Sequence, residues 1–182
     1  MSAQSSIKSS YVKPNLSTLV DQYTRELIER FLSNNKDKFL TTSDKKMTQF
    51  LNWLLFSQPG STRVPARNSD IVSRLHVLQM LSENGNFDPF LSTSDAVCKI
   101  SHKKMTHLFR LSSTAPGQIT VSYLKHSLKQ SKDLRSYIPI TSVTHIRLPI
   151  SNNSLYVGQT QCDTAAEIDM AVRGKFIRSV PV

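Results

Sequence analysis

Gln118-Ile119-Thr120-Val121-Ser122-Tyr123 places a large apolar side chain at every second position, with Thr and Ser between them. A period of two marks a strand that buries one face, and the β-branched residues suit it. Pro116-Gly117 immediately before breaks whatever precedes. Ile146, Leu148 and Ile150 repeat the alternation, and Leu155-Tyr156-Val157 offers a further strand beyond a turn at Asn152-Asn153. Ala165, Ile168, Met170 and Val172 then outline a short helix closed by Gly174, and Phe176, Ile177 and Val180 read as a last strand.

Upstream the period changes to that of a helix. Leu16, Leu19, Val20, Tyr23, Leu27 and Phe31 share one stripe, while Asp21, Arg25, Glu26 and Glu29 fall off it. A second helix follows Ser43-Asp44 with Met47, Phe50, Leu51, Leu54 and Leu55 on one face, and stops before Pro59-Gly60. Ser69-Asp70 opens a third helix through Ile71, Val72, Leu75 and Leu78, and Thr93-Ser94-Asp95 opens a fourth stretch running through Arg110. The reading is an α+β fold with a flexible arm over 1–13. A helical part over 14–112 follows, then a small α+β part over 118–182 with a mostly antiparallel sheet and one helix. The two parts are expected to pack as one domain.

The helical part contains an echo. Phe39-Leu40-Thr41-Thr42-Ser43-Asp44 recurs as Phe90-Leu91-Ser92-Thr93-Ser94-Asp95, and Lys45-Lys46-Met47-Thr48 as Lys103-Lys104-Met105-Thr106. Capped helices reuse Ser, Thr and Asp in any case, because these satisfy free first-turn N–H groups. A duplicated helical hairpin is the sharper expectation, with residues 16–56 matching 71–110.

Charge is distributed unevenly. The chain carries a formal net charge of +10, and residues 96–147 hold nine Lys and Arg against Asp133 alone. Lys99, Lys103, Lys104 and Arg110 lie along the fourth stretch, and Lys125, Lys129, Lys132 and Arg135 follow the first strand. The spacing of Lys125, Lys129 and Lys132 is that of a helical turn. Such a concentration is the footprint of a polyanion site. Tyr123 and Tyr137 interleave with the cations as candidates for stacking on bases.

Catalytic constellations are missing from the sequence: there is no GxSxG, HExxH, phosphate-binding glycine loop or paired CxxC. Cys98 and His102 stand four apart, with His107 as a third candidate beside them and His126, His145 and Cys162 as distant ones. A structural zinc site needs four ligands, so an isolated pair reads as a cysteine beside a surface histidine, and no metal or other cofactor is expected.

Lysines exceed arginines in the basic segment, which suits phosphates in general and not bidentate reading of bases. The expectation is a non-catalytic structural protein that binds RNA non-specifically and self-associates, with Tyr11 of the arm reaching a neighbouring copy and no small-molecule substrate. The profile resembles that of the nucleocapsid and matrix proteins of RNA viruses. A matrix-type peripheral membrane protein, using the same lysines on anionic lipid, is the alternative. Two unpaired cysteines point to an intracellular setting: cytoplasm, nucleus or virion.

Overall fold

A computed structural model describes residues 14–39, 43–58, 63–103, 105–133 and 135–177. Six helices come first: α1 (Leu16–Leu19), α2 (Gln22–Asn34), α3 (Lys36–Phe39), α4 (Asp44–Leu55), α5 (Asn68–Ser82) and α6 (Thr93–Lys103). The strands β1 (His107–Leu111), β2 (Gln118–Gln130), β3 (Tyr137–Ser151), β4 (Ser154–Val157) and β5 (Thr160–Cys162) follow, and α7 (Ala165–Phe176) comes last. The sheet is antiparallel in the order β1-β2-β3-β4-β5, so the expected α+β class holds.

Local chemistry explains the helix starts. Asp21 accepts from the Thr24 N–H at 2.7 Å, and Ser43 accepts from that of Lys46. Thr164 and Glu167 form a reciprocal capping box at α7. The core forms where the apolar stripes of α2 and α4 and the end of α3 pack around α5, which is buried nearly all round, with Ile28, Phe39, Phe50, Leu54, Ile71 and Leu78 fully buried. It continues onto one face of the sheet through Phe109, Ile119, Val121 and Leu148.

One buried arginine joins the two parts. Arg74 of α5 donates through Nη1 to the carbonyls of Trp53, Leu54 and Phe56, at 3.1, 2.7 and 2.9 Å, closing the C-terminus of α4. These acceptors are what a helix end leaves unsatisfied, and a cation suits the negative end of the helix dipole. Gly117, at φ +72°, lies against the same guanidinium and donates to Trp53 O, while Trp53 Nε1 donates to Gln118 O at 2.8 Å.

Several expectations need correction. The fourth helix ends at Lys103 and the chain becomes extended, so Arg110 lies on β1 inside the part read as helical. Phe176 ends α7, which continues through Gly174, and forms no strand; Val180 lies outside the described residues. The echoed stretches differ in local structure: residues 45–48 lie in α4, whereas Lys103 ends α6 and Met105 and Thr106 belong to no helix. Phe39 and Phe90 do meet, edge to face at 5.7 Å, but α6 lies on the sheet and its first turn is held by Ser92, two residues away from the echo's counterpart of Ser43. The 1–13 arm lies outside the described residues.

Candidate functional site

Beyond Leu124, β2 has no strand neighbour but β3 among the described residues. β1 ends opposite Tyr123, whereas the β2–β3 pairing continues to Gln130 opposite Tyr137. Residues 125–130 and 137–142 are exposed on both faces. The two strands therefore run on from the body as a ribbon about 20 Å long at the usual rise per residue, its base at His126, Thr141 and Ser142 beside α6 and its outer part exposed.

Alternation sorts its side chains. Lys125, Ser127 and Lys129 share a face with their cross-strand partners Ser142, Ile140 and Ile138. His126, Leu128 and Gln130 share the other with Thr141, Pro139 and Tyr137, and His126 Nδ1 lies 3.0 Å from Thr141 Oγ1. Lys132 and Arg135 stand in the connecting turn, both exposed. Asp133, the ribbon's only acid, accepts from the Ser131 hydroxyl and from the Arg135 backbone N–H. Among the described residues none of the four ribbon cations has an ion-pair partner. The ribbon also exposes bulky apolar groups: Tyr137 is 65% accessible, Leu128 62% and Ile138 53%.

The other expected site residues are dispersed. Lys99 is half-buried, with Nζ 2.6 Å from Asp88 Oδ2, so its charge is answered within the fold. Lys103 is the last residue of α6, while its side chain, Lys104 and Tyr11 lie outside the described residues. Arg110 is buried and belongs to a different environment from the ribbon. Tyr123 is not presented to a base: it is 5% accessible and its ring stacks on Phe176 at 5.0 Å. Tyr137 is fully presented. The lysine spacing read as helical belongs to a strand and its turn.

Cys98 and His102 are both exposed on α6. No group of three or more His, Cys, Asp or Glu that could hold a metal ion occurs among the described residues. His107 is the most enclosed histidine, with Nε2 2.9 Å from Asp169 Oδ1 and Nδ1 2.9 Å from Thr106 Oγ1. Burial pushes its pKa down against the pull of Asp169. It ties β1 to α7.

Sequence reading passed over Arg147, which stands level with Thr120 and Arg110 across three strands. The signal was its position between Ile146 and Leu148, which puts it on the face opposite the core. No helix among the described residues is long and apolar enough to cross a membrane. No protein-family model matches this chain, and no curated protein is significantly similar to it.

Proposed function

We propose that the chain is a non-catalytic structural protein that grips the RNA phosphate backbone with the β2–β3 ribbon, without reading sequence, and associates with further copies of itself. The observation that carries this is the ribbon, whose exposed Lys125, Lys129, Lys132 and Arg135 face a single acid that is already hydrogen-bonded. Lysines are point charges that hold phosphates and leave base edges unread. Tyr137, exposed beside them, supplies a ring on which any base stacks. Self-association is supported by the outer edge of β3, where β4 pairs only with Ile150 and Ser151 and no other described strand pairs the backbone toward Tyr137.

A second reading is favoured by Leu128, Ile138 and Ile140, exposed on the same ribbon: a cationic hairpin with apolar side chains also suits an anionic lipid surface. Filter binding of a single-stranded RNA and flotation with phosphatidylserine vesicles, on one sample of the full chain, decide between them. RNA retention that falls with salt and ignores sequence supports the first reading. Flotation that needs acidic headgroups and is lost in Leu128→Ser/Ile138→Ser supports the second. Light scattering with and without residues 1–13 tests the arm's part in assembly.

A further inference from the structure

The sheet register builds a second concentration of positive charge at the other end of the strands. Arg110 pairs with Thr120, and Thr120 with Arg147, so two guanidinium side chains flank a threonine on one sheet face. With strands spaced about 4.8 Å apart, their Cα atoms are about 10 Å apart, and both forks reach a group held between them. The adjacent row is Leu108, Ser122 and His145. Above this face, Thr93 of α6 accepts from Arg110 Nη2 at 3.0 Å. The loop after β1 brings Thr114, which accepts from Arg147 Nη2 at 2.6 Å. Between them lies a pocket of about 550 Å³, lined by Thr93, Arg110, Ser112, Thr120, His145 and Arg147 among others, and by no carboxylate.

Arg110 is the anomaly. It is 5% accessible, yet its buried Nε has no hydrogen-bond partner and no ion pair compensates its charge among the described residues. The comparison with Arg74 is direct, since that equally buried guanidinium has three carbonyl acceptors. A buried cation with unused donors is costly unless an anion completes it. His145, on the next row with Nδ1 2.7 Å from Ser122 Oγ, experiences the same field: burial and then Arg110 disfavour its protonation.

We propose that this pocket binds a phosphate group, clasped between Arg110 and Arg147 and completed by the surrounding hydroxyls. Guanidinium forks match phosphate oxygens two at a time. The pocket falls within the range of sites that hold whole small ligands, so the phosphate comes alone, on a nucleotide or on an RNA end. The site is independent of the ribbon. Thr120–Arg147 and Lys129–Ile138 are registered pairs nine residues apart along β2, about 30 Å.

The test is calorimetric titration of the full chain with inorganic phosphate, a nucleoside 5′-monophosphate and the parent nucleoside. Expected are saturable one-to-one binding of both phosphates, none of the nucleoside, and at least a tenfold loss in Arg147→Gln. Arg147 is exposed, so that variant keeps its fold. The Arg110 Nε–Hε resonance should move on adding phosphate, whereas Lys125→Gln/Lys129→Gln should bind phosphate unchanged. Equal affinity for the two phosphates identifies the free anion, and tighter binding of the monophosphate identifies a nucleotide. Tighter binding of a 5′-phosphorylated RNA oligomer than of its 5′-hydroxyl counterpart, measured in the ribbon variant, identifies an RNA end. No saturable binding of any phosphate, or unchanged affinity in Arg147→Gln with an unmoved Arg110 resonance, overturns the proposal. Loss of RNA binding in the ribbon variant alone leaves it standing.

Discussion

Replacing Lys125 and Lys129 with Gln removes two of the four ribbon cations without introducing repulsion, and the expected effect follows from counterion release. If Lys125, Lys129, Lys132 and Arg135 each meet one phosphate of a single strand, log affinity falls against log salt with a slope of about −2.8. Between 50 and 200 mM salt the intact chain then loses about 50-fold in affinity, and the double variant, with a slope of about −1.4, loses about 7-fold. Both side chains are exposed on a ribbon that contributes nothing to the core, so the thermal midpoint should stay where it was. Filter binding of a labelled homopolymeric RNA at five salt concentrations measures the two slopes. The Lys99→Gln variant is the control, because that charge already faces Asp88. A slope unchanged in the double variant, or reduced as much by Lys99→Gln, would refute the ribbon as the RNA contact.

Tyr137→Ala should weaken RNA binding by about 1–3 kcal/mol at fixed salt, the value of one stacked base, with no change in thermal midpoint; fluorescence anisotropy measures the first and calorimetry the second. Gly117→Ala should destabilise the fold by about 2–4 kcal/mol, because φ is +72° and the added Cβ would stand 2.4 Å from the Arg74 guanidinium. Arg74→Met should cost a similar amount by stripping three carbonyls of their donor, and the double variant should cost less than the sum, as urea titrations of all three would show. Stability should be complete above about pH 6.5 and decline below it, at up to about 1.4 kcal/mol per pH unit for each imidazole. The sign follows from His107 and His145, both held below the ordinary histidine range by burial first, so the unfolded chain takes up protons before the folded one. Urea midpoints from pH 5 to 7.5 check it, and His107→Gln should flatten the slope.

Much of the architecture was readable because the main core takes large apolar side chains from one side of each element. Ile119, Val121 and Tyr123 alternate with Thr120 and Ser122 because the first three face the main core, while the buried Thr120 and Ser122 face α6 and its hydroxyl-lined pocket. The stripes of α2 and α4 announce themselves because they too turn an apolar side to that core. The turn at Asn152-Asn153 was equally plain, with both residues at positive φ, which Asn tolerates. The boundary between α6 and β1 was hidden by the composition of β1, whose residues His107 to Leu111 are all buried but do not alternate in polarity. His107, Phe109 and Leu111 share one face and Leu108 and Arg110 the other, so each face mixes polar with apolar, no alternation appears, and a continuous helix fits the pattern as well.

The same reasoning explains the site. A ribbon without a buried face leaves no hydrophobic period to read, and Lys125 and Lys129, four apart, share a side in a helix and in a strand alike. Lys132 alone favours the helix, and it stands in the turn where neither period applies. The distinction was carried by Tyr137, Ile138 and Ile140, apolar residues placed just beyond a polar turn and opposite Gln130, Lys129 and Ser127. Pairing of this kind is a property of two segments together, and a one-dimensional reading of either segment contains none of it. Arg110 and Arg147 obey the same rule more strongly. Far apart in sequence, they are neighbours only through Thr120, and the unanswered charge on Arg110 becomes visible once the register is known.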